Sequence, residues 1–162
     1  MTKKVIIIVF SWLLVLATMM IIYNFSSENS TKSSQTSSQV VVQVLDVVME
    51  KEDITPPVVK KFQIPFRKLA HFGIFMLLGF CMYSAYEKSF KIKLWINAIL
   101  SLASCVLYAV SDEYHQKFTD GRANSFKDVL IDSTGACIGI LLFIGLNYLY
   151  LRYLNKKRSS AI

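Results

Sequence analysis

Four runs of apolar residues, at 5–23, 69–86, 94–110 and 129–151, set the architecture open to this chain of 162 residues. Each is close to the roughly 17–25 residues that carry an α-helix across a bilayer. Irregular backbone cannot make that crossing, because its N–H and C=O groups would find no water to bond. The apolar share of 54% also exceeds the roughly 45–50% usual in soluble domains. The expected fold is therefore an all-α membrane protein, a four-transmembrane-helix bundle.

Residues 1–23 begin with Lys3 and Lys4 and then turn apolar, as a signal peptide does. The apolar stretch is longer than an h-region of roughly 7–15 residues, and no small-x-small cleavage site follows. It reads as an uncleaved first transmembrane helix. Orientation comes from the basic residues beside the spans, since cytoplasmic loops are enriched in Lys and Arg. Lys3, Lys4, Lys88, Lys91, Lys93, Arg152, Lys156, Lys157 and Arg158, opposed only by Glu87, carry more than the whole net charge of +7. Both the N- and C-termini are expected in the cytoplasm, with the basic tail 152–162. The loops 24–68 and 111–128 then lie outside. The positive charge follows this topology rule and suits the anionic inner leaflet of the lipid bilayer. No nucleic-acid-binding module is present, so no nucleic acid is expected as a partner.

Residues 24–65 form a variable outer loop. Within it, 26–39 is almost wholly polar and reads as a tether. From 40 to 53, Val41, Val44, Leu45 and Val48 recur at helical spacing, which predicts a short surface helix, with a valine-rich strand as the weaker alternative. Pro56-Pro57 ends that segment, and Pro65 is expected to set the turn into the second span.

Ionisable residues cluster where the spans meet the outer side. Arg67, Lys68, His71 and Phe75 share one helix face. Asp112, Glu113, His115 and Gln116 end the third run, Arg122 follows, and Asp128 and Asp132 open the fourth in a stripe with Gly135 and Gly139. Charge at membrane depth is tolerated when paired, so Arg67, Lys68 and Arg122 opposite the four acids make a nearly self-neutralising set. Three roles fit. The pairs can simply fix helix packing. The guanidinium groups can bind a phosphate or carboxylate head group. As an enzyme, the chain would use His71 or His115 to move a proton, with Asp112 or Glu113 to orient it. The charge balance favours binding over reaction. His and carboxylate side chains also suit a metal ion, but their spacing matches no recognised zinc motif, and no metal or other cofactor is expected. Gly-rich phosphate loops, nucleophile elbows and dinucleotide fingerprints are absent from the sequence.

Cys81, Cys105 and Cys137 all fall inside spans and read as small apolar fillers. Gly135-x-x-x-Gly139 allows close helix approach, expected within the monomer because it continues the stripe of Asp128 and Asp132. Trp95, Tyr148, Tyr150 and Tyr153 read as anchors at the opposite interface.

The motifs Arg67-Lys68-Leu69-Ala70-His71-Phe72, Ser111-Asp112-Glu113-Tyr114-His115-Gln116-Lys117-Phe118, Gly121-Arg122 and Asp128-Val129-Leu130-Ile131-Asp132-Ser133-Thr134-Gly135, in that order, resemble the VanZ-like family of bacterial membrane proteins. The resemblance covers about residues 66–145, within a three-helix region at 66–151. It departs at Asp120, where a small residue or proline is expected. It implies a multi-pass protein of the cell membrane, part of the cell envelope, whose family namesake is associated with resistance to the antibiotic teicoplanin, a glycopeptide carrying a fatty acyl chain. A lipoglycopeptide or a lipid-linked envelope precursor is the partner it implies, and no established reaction comes with it.

Overall fold

Every apolar run becomes a helix in the computed structural model, which describes residues 2–27, 30–48, 53–118 and 125–159. The helices are α1 (Lys3–Ser27), α2 (Ser30–Val48), α3 (Pro56–Ser89), α4 (Leu94–Gln116) and α5 (Phe126–Ser159). There is no strand among the described residues. Four of the five, all but α2, are long and apolar enough to cross a membrane. The four-helix, all-α expectation thus holds. α3 is the centre of the bundle, packed against all the others and most extensively against α5.

Which residues the helices bury says what solvent they face. α1 buries Ser11, Val15, Thr18, Ile22 and Ser26, a single stripe at three- and four-residue spacing. α4 buries Asn97, Ser101, Cys105, Ala109, Asp112 and Gln116 in the same way. The outer faces carry Phe10, Leu16, Met20, Leu107 and Leu141, each more than half exposed. The buried stripes of α1 and α4 are rich in small and polar side chains and most large apolar ones lie outside, although Val15, Ile22, Phe75 and Leu78 are buried in the core. Between membrane helices the lipid is as apolar as leucine, so small residues that let backbones approach, not greasy ones, form the interfaces. The Ser11 and Thr18 hydroxyls donate to the carbonyls of Ile7 and Leu14 one turn back, so their burial leaves nothing unpaired.

The seam between α3 and α5 takes this furthest. A Cβ added to Gly79 would run into the Ala136 carbonyl, one on Gly135 into that of Phe72, and one on Gly139 into that of Met76. The two backbones therefore touch directly, and the Gly135-x-x-x-Gly139 pattern packs inside the monomer as its stripe predicts.

At 34 residues α3 is about 50 Å long, well beyond the hydrocarbon thickness. It starts at Pro56 with Thr55 as its N-cap and runs straight through Pro65, where the sequence reading expected a turn. Pro56 and Pro57 fit the first helical turn, whose N–H groups have no partner in the helix anyway. Pro65 only deprives the Lys61 carbonyl of its donor, and both residues are exposed. α2 covers this extension. It is described over Ser30–Val48, so much of the stretch expected to be a tether is helical, while residues 49–52 of the expected surface helix lie outside the described residues. Burial of Val41 and Leu45 accounts for its position, beside a cavity of about 230 Å³ lined also by Phe62, Phe66 and Leu69.

A charged cluster at one end of the bundle

Three helices bring their ionisable residues to the same level. α4 continues past its apolar run to Gln116, and its last turns turn Asp112, Glu113 and Gln116 inward, all buried. Asp112 Oδ2 accepts from the Ser26 hydroxyl at 2.8 Å and from Gln116 Nε2 at 3.0 Å, and Gln116 Nε2 also reaches Ser26 Oγ at 3.3 Å. Glu113 Oε1 accepts the backbone N–H of Ser125, just before α5. A carboxylate is favoured there because the first N–H groups of a helix are unpaired and carry its positive dipole end.

On α5, Asp128 in the first turn pairs with Lys68 of α3. Asp132, one turn on and 4% exposed, faces His71 with Nδ1 and Oδ2 3.8 Å apart, an ionic distance too long for a hydrogen bond. One ligand-type atom from each of His71, Asp112 and Asp132 lies within 4.8 Å of the others. Lys68, His71, Glu113, Gln116, Asp128 and Asp132 line a small cleft among them.

His71 also borders a second, larger space. A cavity of about 350 Å³ lies between α1, α2 and α3, walled by Ile22, Phe25, Val40, Phe66, Ala70 and Ile74. Arg67 and His71 are the basic groups on its wall, with Thr36 and Ser37 from α2. The face that carries Arg67, Lys68 and His71 in sequence is therefore divided: Arg67 turns to the greasy cavity, Lys68 to Asp128, and His71 touches both.

Of the residues singled out in sequence, Lys68, His71, Asp112, Glu113, Gln116, Asp128 and Asp132 come together here, and Arg67 lies one helical turn away. His115 does not join them. Its ring stacks on Tyr23 of α1 with centroids 4.9 Å apart, and its Nε2 lies 3.2 Å from Ser27 Oγ. Arg122 and Asp120 lie outside the described residues. Sequence reasoning missed Ser26, fully buried and bonded to Asp112. Its signal was the small-residue stripe of Ser11 and Thr18, which reaches Ser26 after two more turns.

At the far end Trp95, Tyr148, Tyr150 and Tyr153 are all exposed, the three tyrosines spread over about 8 Å of α5. The fold and cluster define a class: a multi-pass α-helical membrane protein with an apolar outer surface and charged groups gathered inside one end. Within that class the chain belongs to the VanZ/LLP1 family, whose model matches residues 10–150. The match takes in α2, α3 and α4 and most of α1 and α5. No curated protein and no solved structure matches the chain.

Proposed function

We propose that this protein sits in the bacterial cell membrane with both termini in the cytoplasm and binds an anionic amphiphile at its outer end. The 350 Å³ cavity between α1, α2 and α3 carries this reading. Its size is in the range of sites for small organic ligands, and such sites pair apolar walls with a few placed polar groups. The walls suit an acyl chain. Arg67, half-buried at the same cavity, suits a phosphate or carboxylate head group, since guanidinium offers paired donors in one plane. The occupant in this reading is a lipid-linked envelope component or the acyl chain of a lipophilic glycopeptide such as teicoplanin.

The test is binding of a lipid phosphate to the full chain in nanodiscs, followed by native mass spectrometry. Arg67→Gln should lower retention at least tenfold while Lys91→Gln, at the other end, leaves it unchanged. Equal retention by both variants would sink the proposal. The resistance form has its own assay: expression in a susceptible bacterium should raise the inhibitory concentration of teicoplanin more than that of vancomycin, which lacks the acyl chain.

One observation favours a second reading, a membrane enzyme acting on the head group. His71 belongs to both the cavity and the buried carboxylates, so a proton could pass between them. Asp112→Asn would then abolish a change in envelope lipids visible by mass spectrometry.

A further inference from the structure

We propose that His71, Asp112 and Asp132 form a binding site for one divalent first-row transition-metal ion. The three side chains come from three different helices, α3, α4 and α5, and converge to within 4.8 Å. An ion held roughly 2.0–2.2 Å from each donor draws them together by less than an ångström of side-chain movement per group.

Two further observations point to a ligand between them. Asp132 is 4% exposed, and its one ion-pair partner among the described residues is the His71 imidazole, with Nδ1 at 3.8 Å. A buried carboxylate is ordinarily paired or bound to a metal. Asp112, by contrast, is held by Ser26 and Gln116, and both bonds fall on Oδ2. That is the arrangement by which outer residues orient a ligating carboxylate and leave its other oxygen for the ion. The charge of the cleft agrees. Of the charged groups that line it, Glu113, Asp128 and Asp132 stand with Lys68 and His71, and Lys68 is taken by Asp128. A dication bound there neutralises the two carboxylates that ligate it.

The donor set narrows the ion. Two carboxylates alone would suit Mg²⁺ or Ca²⁺, but an imidazole beside them favours a borderline first-row ion such as Zn²⁺, with the harder Mn²⁺ served mainly by the carboxylates. The site shares His71 with the lipid cavity, but Asp112 and Asp132 do not line that cavity, and the test contains no lipid ligand.

The full chain, purified in detergent and stripped with EDTA, is equilibrated with Zn²⁺ or Mn²⁺, passed through gel filtration and assayed for metal by mass spectrometry. About one ion per chain is expected for at least one of the two, with a thermal midpoint that rises with ion concentration. Asp132→Asn and His71→Gln should each weaken binding at least tenfold and remove that rise. In ion-free protein Asp132→Asn should melt at or above the parent, because a buried charge is gone, which separates lost binding from lost folding. Should Asp132→Asn fail to fold, His71→Gln carries the test. Less than a tenth of an ion per chain with either metal overturns the proposal, as does binding unchanged in both variants. A preference for Mg²⁺ or Ca²⁺ overturns the assigned class. Loss of the cluster on Arg122→Gln, with no ion retained by the parent, would assign the counter-charge to that guanidinium instead.

Discussion

Replacing Gly139 by alanine adds one methyl group at the point where α3 and α5 touch backbone to backbone. The new Cβ would lie 2.8 Å from the Met76 carbonyl carbon and 2.9 Å from the Phe80 nitrogen, where ordinary contacts begin at about 3.5 Å. No rotamer change can relieve this, because the obstructing atoms are backbone. The helices must part by the better part of an ångström, and the loss spreads along the most extensive interface of the bundle. Overpacking of this kind costs about 1–3 kcal/mol. The upper half of that range is expected, because dispersion contacts drive association between membrane helices and each falls off steeply with separation. Gly145→Ala is the internal control. It lies six residues further along α5, and an added Cβ meets nothing within 4 Å. Alanine there should be neutral or stabilising by up to about 1 kcal/mol, from helix propensity alone. Unfolding of both variants in mixed micelles, followed by circular dichroism, gives the comparison. Equal stability of Gly139→Ala and Gly145→Ala would refute the direct backbone seam.

Gly135→Ala, three residues beyond Asp132, should both destabilise the bundle and weaken metal retention, because separating α5 from α3 also draws Asp132 away from His71; binding equal to the parent would break that link. Ser26→Ala leaves Asp112 without its hydroxyl donor and should cost about 1.5–3 kcal/mol, as loss of a buried bond to a charged group does; a double-mutant cycle with Asp112→Asn should report coupling, and additive losses would argue against the bond. Ser101 has a buried hydroxyl with no partner among the described residues, so Ser101→Ala should leave the melting temperature unchanged or raise it; a marked drop would mean that the hydroxyl is bonded. A reporter fused after Lys91 should be cytoplasmic and one after Ser34 outside, and reversal of both would put the charged cluster on the inner face.

The spans were legible because each announces itself in its own residues: length and apolarity are local properties, and the bilayer permits one response to them. The α3–α5 seam was legible for a related reason, since Gly135, Gly139 and Asp132 share one stripe of one helix. α2 was harder. The polar run 30–39 contains no apolar residue, and its helix is the extension of a valine stripe that finds its partner in Phe62, Phe66 and Leu69 on the first half of α3. Nothing in those ten residues alone encodes that partner. Pro65 misled for the same reason: it reads locally as a breaker, while α2 and α5 hold α3 in place on either side.

The site was legible as a list of residues but not as a grouping. Sequence periodicity relates groups on one helix, and it correctly put Arg67, Lys68 and His71 on one face. It could not divide that face between a greasy cavity and a carboxylate cleft, because the division is made by Ile22, Phe25 and Val40 on one side and by Asp128 and Asp132 on the other. Metal motifs are recognised by spacing along one helix or loop, so a trio drawn from α3, α4 and α5 has no spacing to recognise. The same geometry explains why His115, only three residues from Asp112, has a separate fate. Asp112 lies on the stripe that α4 buries, whereas the His115 ring lies against Tyr23 of α1. A cluster that depends on several helices is sensitive to their packing, and the small residues at the seam are therefore part of what positions the chemistry.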